Sequence, residues 1–266
     1  EDADRLAEHN GKSAVVIGSG LIGIEVCEAL KKKGYHVWLI ELLNWIMPKV
    51  FDEEPAQILA ESLQKNGINV LTGEKVLRIN GETDVQSVTS NKREIKCDTV
   101  VLATGVIPAT EIAKDAGIEL AASKGIIVNN NMMTSVPDVY ACGDCVETQD
   151  VFTGEKALNM LRNTALEQAE VIAKNIAGIP TVYRGAWNFT RAHFFNTHAV
   201  SMGKTASGLI NNSGVEIITR KRGENYAKLI LQDGKLLGAQ LIGKEADKAG
   251  ILLGVMFRKD DLTKIR

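Results

Sequence analysis

The stretch that organises this chain is Ser13-Ala-Val-Val-Ile-Gly-Ser-Gly-Leu-Ile-Gly-Ile-Glu25. Its β-branched beginning predicts a strand, and the glycine triplet at positions 18, 20 and 23 predicts a tight turn. Apolar residues then recur with helical spacing as far as Leu30, and Gly34 stands where that helix would end. A second strand is predicted from His36 to Ile40, with Glu41 at its carboxyl end.

Each glycine of the triplet has its own role in a dinucleotide-binding turn. Gly18 permits the sharp turn, Gly20 lets backbone N–H groups approach a pyrophosphate, and Gly23 lets the helix pack close to the strand. The positive end of the helix then faces the phosphates. Together these elements favour a dinucleotide site over an ordinary βαβ turn. They also favour it over a methyltransferase turn, which needs no third glycine packed against the strand.

Glu41 adds a prediction about which dinucleotide binds. A carboxylate at this position would accept hydrogen bonds from both hydroxyls of the adenosine ribose. Its negative charge would also repel a 2′-phosphate. The sequence therefore favours NAD over NADP.

Composition narrows the class of protein further. The 266 residues carry a formal net charge of -2, which argues against a nucleic-acid surface. No apolar run approaches the length of a membrane span, and the first residues lack the basic and apolar regions of a signal peptide. The four cysteines are scattered rather than arranged as a disulfide framework. We therefore expect a cytoplasmic protein with neither nucleic acid nor membrane as a partner.

Strands and helices continue to alternate as far as Gly105. A second helix is predicted from Asp52 to about Asn66-Gly67, followed by a third parallel strand at 68–70. Short antiparallel strands are then expected at 75–79, 85–89 and 93–96, before a buried strand over 99–105. This order predicts an α/β protein with a doubly wound sheet and its ligand at the carboxyl ends of the strands.

The second half of the chain has a more mixed pattern. We expect a short helix at 111–116, a strand at 126–128, and a strand over 137–144 that runs into a glycine turn. Beyond Pro180 strands predominate, with a hairpin of 226–231 and 235–242 and a helix from 245 to about 257. A long amphipathic helix is predicted before Pro180, with an apolar face made by Leu158, Leu161, Ala165, Ala169, Ile172 and Ile176.

Several motifs occur in the order typical of one family: Gly18-Ser-Gly-Leu-Ile-Gly-Ile-Glu25, Glu41, Ala103-Thr-Gly105 and Tyr140-Ala-Cys-Gly-Asp144. With them, nearly the whole chain resembles the flavin-dependent pyridine nucleotide-disulfide oxidoreductases. The branch it resembles most contains NADH oxidases, coenzyme A disulfide reductases, and rubredoxin or nitrite reductase-like NADH dehydrogenases. The resemblance implies FAD and NAD(H) as cofactors, with hydride passing from NADH to flavin. Electrons would then leave to oxygen, a disulfide or a small redox protein.

The same resemblance implies a domain order. A Rossmann-like NAD domain would be inserted in a partial flavin-binding domain, and a small α+β interface domain would follow and form a homodimer. On this chain we expect a linker at 1–12, the NAD(H)-binding domain at 13–105, the second part of the FAD-binding domain at 106–180, and the interface domain at 181–266.

Individual residues acquire roles from the family's motifs. The resemblance implies that Glu25 has a catalytic role, holding the nicotinamide carboxamide beside the flavin. It could instead be a first-turn glutamate stabilised by the helix dipole. Asp144 matches the aspartate that accepts a hydrogen bond from the flavin ribityl chain, with Gly143 giving the backbone room, although it could also cap a helix. No metal site is predicted, and the expected cofactor contacts are Gly18, Ser19, Gly20, Leu21, Ile22, Gly23, Glu41, Thr104, Gly105, Gly143 and Asp144.

The chain also departs from the family pattern. The family's first flavin motif, another glycine triplet, has no counterpart in these residues, and neither does its redox-active cysteine. We therefore expect this chain by itself to bind NAD and to hold FAD poorly or not at all. A rival interpretation is an NAD-binding module or subunit without its own turnover.

Two further pairs of residues are candidates for chemistry. Cys142 and Cys145 have the spacing of a redox dithiol or of half a zinc site. Ordinary thiols are favoured, because Asp144 between them belongs to the flavin motif. For His193 and His198 we expect a packing or surface role.

Overall fold

The computed structural model describes residues 2–152, 154–209 and 213–265. These residues form two compact units. Unit 1 comprises Glu1–Gly105, Thr190–Val255 and Asp260–Arg266, and unit 2 comprises Val106–Phe189 and Met256–Lys259. No helix in the described part of the chain is both long enough and apolar enough to cross a membrane.

Unit 1 begins with the predicted alternation of strands and helices. The elements are α1 (Asp2–Glu8), β1 (Ser13–Ile17), α2 (Leu21–Lys32), β2 (His36–Ile40), α3 (Glu53–Lys65) and β3 (Ile68–Leu71). Gly34, with a φ of 91°, follows the end of α2 as predicted. Helix α1 was not expected, because the first twelve residues were interpreted as a polar linker.

A small meander separates β3 from the last strand of the parallel sheet. It consists of β4 (Val76–Asn80), β5 (Ser87–Ser90) and β6 (Glu94–Lys96), which pair antiparallel, and it is followed by β7 (Thr99–Leu102). Strands β3, β2, β1 and β7 then lie side by side in that order, all parallel. This confirms the predicted α/β class.

Alternating residues of β1 build the core on both faces of this sheet. Ala14 and Val16 pack with the buried residues of α2 and α3, whereas Val15 packs with Val88 and Ile95 of the meander. Successive side chains of a strand point to opposite faces, so a strand buried on both sides is apolar throughout. The carboxyl ends of the parallel strands are thereby fixed in place.

The remainder of unit 1 is an antiparallel sheet. Its strands are β11 (Phe189–Phe194), β12 (Thr197–Gly203), β13 (Val215–Arg222), β14 (Asn225–Gln232) and β15 (Lys235–Ile242), after which comes α6 (Ala249–Arg258). The sheet order is β11-β12-β15-β14-β13, and the predicted hairpin is β14 with β15. Buried residues such as Phe194 and Ile242 share one core with α2 and α3.

Unit 2 contains α4 (Glu111–Asp115), β8 (Ile126–Ile127), β9 (Val146–Gln149), β10 (Lys156–Leu158) and α5 (Arg162–Ile176). The predicted strand over 137–144 was wrong: among these residues only Tyr140 makes an isolated bridge, to Met133. Asp138 has a φ of 62°, which breaks an extended segment. A short 3₁₀ turn follows at Gly143–Cys145.

The predicted apolar face of the long helix was also wrong. Leu158 belongs to β10, and Ile176 is 68% exposed. The buried positions of α5 are Thr164, Gln168 and Val171. Two oxygens of this polar face find partners that help to offset their burial: Thr164 Oγ1 donates to Asn159 Oδ1, and Gln168 Oε1 accepts from the Gly143 amide.

Candidate functional site

A cavity of about 560 Å³ opens at the carboxyl ends of β1, β2 and β7. This is the edge of a parallel sheet at which the sequence predicted a ligand. The lining lies entirely within unit 1 and consists of residues 17–20, 40–43, 47–50, 74–76 and 103–105.

The glycine triplet forms the turn between β1 and α2, and two of its glycines are required by close packing. Gly18 has a φ of 103°, and a Cβ there would lie 2.3 Å from the carbonyl oxygen of Ala103. A Cβ on Gly23 would lie 2.0 Å from the carbonyl oxygen of Gly18. No side chain fits at either position without moving the backbone.

Gly20 is different, because nothing lies within 4 Å of the Cβ that it lacks. It lines the cavity at the N-cap of α2, and no side chain caps the helix there. The first amides of a helix have no intrahelical acceptor and carry the positive end of its dipole. The space beside Gly20 is therefore open to an anionic group such as the pyrophosphate that the sequence predicts there.

The carboxylate of Glu41 is engaged with the protein itself. One oxygen accepts from the backbone amide of Ser19 at 3.0 Å and from its hydroxyl at 2.5 Å, and the other accepts from the Leu43 amide at 2.9 Å. Glu41 is 8% exposed and lines the cavity. The oxygen facing Leu43 keeps acceptor capacity for a ribose hydroxyl, since a carboxylate oxygen can accept two hydrogen bonds.

Ser19 is predicted to contact the cofactor and lines the cavity, and its own polar groups make hydrogen bonds within the protein. The residue is fully buried, and both its amide and its hydroxyl donate to Glu41. The Met47 amide lies 3.2 Å from the same hydroxyl and 3.1 Å from the Ser19 carbonyl oxygen. Ser19 therefore joins the glycine turn to the segment after β2, which we call the cavity loop (residues 42–51).

The cavity loop and residues 74–76 were not identified from the sequence. They bring Lys49 and Lys75 to the lining, where they face the same cavity as Glu41 and Glu74. The only sequence signal was the presence of basic residues after two parallel strands. This signal is weak, because lysines are common in surface loops.

The remaining predicted residues of unit 1 occupy varied positions. Thr104 and Gly105 line the cavity, and Gly105 has a φ of 115°. Leu21 and Ile22 do not line it: Leu21 packs against the core and Ile22 is 65% exposed. Glu25 is exposed on α2, one residue beyond the first turn of the helix, and lies beside a narrow crevice that His193 also lines.

The predicted flavin-contacting pair lies in unit 2. Gly143 has a φ of 82°, and its amide donates to Gln168 Oε1 at 2.7 Å. The side chain of Asp144 is exposed. Gln168 was missed as a supporting residue because the sequence pattern assigned the buried face of α5 to its apolar positions.

The cysteines behave as isolated thiols. Cys142 and Cys145 are not joined, and the Cys145 thiol donates to the Cys142 carbonyl oxygen at 3.3 Å. Burial raises the pKa of Cys145, and it raises the pKa of Cys27 to about 12. Within the described residues, no group of three or more His, Cys, Asp or Glu side chains could hold a metal ion. His193 and His198 are exposed and stack with their ring centroids 4.2 Å apart.

A parallel sheet, a glycine turn that opens a helix, and an acid at the end of the neighbouring strand together define a Rossmann-type dinucleotide-binding protein. The family described as Pyridine nucleotide-disulphide oxidoreductase matches residues 1–174. The chain belongs to that family.

Individual relatives support the same family assignment. The chain is 34% identical over 270 residues to a protein named NADH oxidase from Methanocaldococcus jannaschii, covering 96% of this chain and 60% of the relative. An FAD-dependent pyridine nucleotide-disulphide oxidoreductase from Desulfovibrio vulgaris superposes with a TM-score of 0.88 at 29% identity, covering 99% of this chain and 71% of that one. An NAD-dependent persulfide reductase from A. fulgidus gives a TM-score of 0.90 at 29% identity, covering 98% of this chain and 51% of that one. The chain spans about 60% of the NADH oxidase that it matches.

Proposed function

We propose that this chain acts in an FAD-dependent NADH oxidoreductase in which hydride passes from NADH to flavin. The observation that carries the proposal is the cavity beside Gly20, where a missing Cβ, a helix N-terminus and a carboxylate face one space. These features fit the pyrophosphate and the ribose of a dinucleotide.

Different residues of the chain would bind different parts of the two cofactors. The amides at the start of α2 would hold the pyrophosphate, and Glu41 would accept a hydrogen bond from the adenosine ribose. Gly143 and Asp144 would hold the flavin ribityl chain, for which an exposed carboxylate on a turn at positive φ is suited. FAD, when bound, accepts the hydride of NADH, and that chemistry belongs to the cofactors.

Glu25 is proposed as the residue that holds the nicotinamide carboxamide. Its exposed carboxylate near the start of α2 is available to accept a hydrogen bond from an amide.

NADH is proposed as the preferred donor. Glu41 places a buried negative charge where a 2′-phosphate would approach, and desolvated charges interact more strongly than exposed ones. Lys49 and Lys75 also line the cavity and would reduce this discrimination without abolishing it.

The electron acceptor is proposed to be oxygen, a disulfide or a small redox protein. The relatives named NADH oxidase and persulfide reductase cover the first two of these chemistries. We also propose a cytoplasmic homodimer that forms through the five-stranded sheet. Residues 216–222 of its edge strand β13 are exposed, and two of them, Ile217 and Ile218, are apolar. Light scattering of the purified chain tests the dimer.

The function is tested by titrating the purified chain with NADH and by measuring its flavin absorbance and NADH-dependent dye reduction with added FAD. Saturable NADH binding together with bleaching of the flavin spectrum supports the oxidoreductase. NADH binding without dye reduction, even with saturating FAD, would favour the module without turnover. No affinity for NADH would refute both.

A further inference from the structure

A row of buried polar side chains crosses the inner face of the five-stranded sheet. Ser201, Gln240 and Lys228 lie on the adjacent strands β12, β15 and β14, and they are direct cross-strand partners. Their exposed fractions are 6%, 0% and 5%. They are surrounded by apolar residues of the same face, so these polar groups need a reason for being buried.

The polar row contacts the end of the cavity loop and Asp52 after it, and Lys228 also pairs with Glu54 of α3. Ser201 Oγ donates to the carbonyl oxygen of Val50 at 2.6 Å. Gln240 Oε1 accepts a hydrogen bond from the Asp52 amide at 3.1 Å, and Gln240 Nε2 donates one to the Asp52 carboxylate, also at 3.1 Å. Lys228 Nζ lies 3.2 Å from the same carboxylate.

The Asp52 carboxylate is consequently fixed from several sides. It also accepts from the backbone amides of Ala206 and Ser207, each at 3.0 Å. A charge-assisted hydrogen bond is short and directional, so a carboxylate with this many donors has one permitted position. Asp52 lies between the cavity loop and α3, so its position fixes the end of the loop.

Two attachments therefore determine the shape of the cavity loop. At its beginning, Ser19 and Glu41 fix Leu43 and Met47, and at its end the polar row fixes Val50 and Asp52. A buried ion pair adds little net stability compared with apolar residues of the same size. The polar row is therefore better explained by its effect on the position of the cavity loop than by its effect on stability.

We propose that Ser201, Gln240 and Lys228 are positioning residues for the nucleotide, because they set the wall of the cavity that contacts its adenosine half. The five-stranded sheet then supports the binding site from behind its lining, as well as being a candidate interface. The inference rests on the proposed function, since it assumes that the cavity binds NADH.

The test compares two single hydroxyl deletions in the full chain. Ser201→Ala removes only the hydrogen bond to Val50. The matched control, Ser62→Ala, removes the contact between Ser62 and Thr197, a hydroxyl pair 2.5 Å apart that joins β12 to α3 rather than to the cavity loop, and neither residue lines the cavity. Thermal unfolding of both variants reports the structural cost common to them.

Binding of NADH and of ADP-ribose is measured for both variants, together with KM and kcat for dye reduction. With Ser201→Ala, we expect the Kd for both ligands and the KM for NADH to rise about fivefold at unchanged kcat, as a lost positioning hydrogen bond would give. ADP-ribose should weaken as much as NADH, because the wall concerned lies at the adenosine end. Ser62→Ala should leave both Kd values within about twofold.

Equal changes in the two variants, or a loss for NADH without a loss for ADP-ribose, would overturn the proposal. So would a lower melting temperature with unchanged Kd in Ser201→Ala. If the wild-type chain binds neither ligand, the proposed function fails first and this inference fails with it.

Discussion

The backbone amide of Ser19 donates a hydrogen bond to the carboxylate of Glu41 at 3.0 Å, and this bond holds the glycine turn against the end of β2. The acid that was predicted to recognise the ribose also determines the shape of the turn that receives the pyrophosphate. Changes at position 41 should therefore affect both halves of the site.

We predict that Glu41→Gln weakens NADH binding and reduces the preference for NADH over NADPH. Glutamine offers one acceptor oxygen where the carboxylate has two, and it removes the charge that opposes a 2′-phosphate. We expect the Kd for NADH to rise about tenfold, as the loss of one charge-assisted hydrogen bond would give. NADPH binding should weaken less or improve. Titrations with both nucleotides measure this, and Glu82→Gln, at an exposed position in the meander, is the control. An unchanged ratio of the two Kd values would contradict the assignment of Glu41.

A methyl group at Gly20 should weaken nucleotide binding strongly and leave the fold intact. The added Cβ meets no protein atom, so it would occupy only the space assigned to the pyrophosphate. We expect the free energy of unfolding of Gly20→Ala to lie within about 1 kcal/mol of the wild-type value, and its Kd for NADH to be at least tenfold higher. Chemical denaturation and fluorescence titration measure the two effects.

Two other glycines serve as controls for that prediction. Gly250→Ala places a methyl group in open space on α6 and should lower neither the stability of the fold nor the affinity for NADH. Gly23→Ala places its methyl group 2.0 Å from the Gly18 carbonyl oxygen and should destabilise the fold by about 3 kcal/mol. Full NADH affinity in Gly20→Ala would contradict the assignment of the pyrophosphate to the space beside Gly20.

The stability contributed by Asp52 should depend on pH. Burial by itself raises the pKa of this carboxyl, but the amides of Ser207 and Ala206 and the charge of Lys228 outweigh burial and lower it. A group whose pKa is lowered by folding stabilises the fold above its unfolded pKa, about 3.9 for aspartate, and loses that effect as pH falls through the folded value.

Asp52→Asn should therefore cost about 2 kcal/mol of unfolding free energy at pH 7. Its difference from the wild type should shrink steadily below about pH 4. Urea denaturation of both proteins between pH 7 and pH 3 measures this difference. Glu28 and Asp98, whose pKa values are also lowered, are present in both proteins and cancel. A difference that stays constant down to pH 3 would contradict the assignment.

Cys145→Ser should leave NADH-dependent dye reduction within about twofold of the wild type, because serine keeps the donor to the Cys142 carbonyl oxygen and a thiol of raised pKa is a poor nucleophile. Steady-state rates with added FAD measure this. Loss of most of the activity, with flavin content unchanged, would restore the dithiol interpretation.

The comparison of sequence with structure separates two kinds of information. The strands, helices and turn from Ser13 to Leu71 follow from local patterns, because apolar periodicity and glycine placement act over a few residues. The buried face of α5 was predicted wrongly, since Gln168 is buried through a hydrogen bond from the Gly143 amide and Thr164 through one to the Asn159 side chain, and periodicity registers neither contact.

The sequence by itself determined that a glycine turn lies between a strand and a helix, and that an acid ends the next strand. Only the tertiary structure decided what surrounds the resulting cavity. Ser201, Lys228 and Gln240 reach Val50 and Asp52 across more than a hundred residues of chain, where no local pattern connects them. The physical reason is that a buried polar group must find its partner wherever the packed core brings one within hydrogen-bonding distance, and that partner is set by the whole fold.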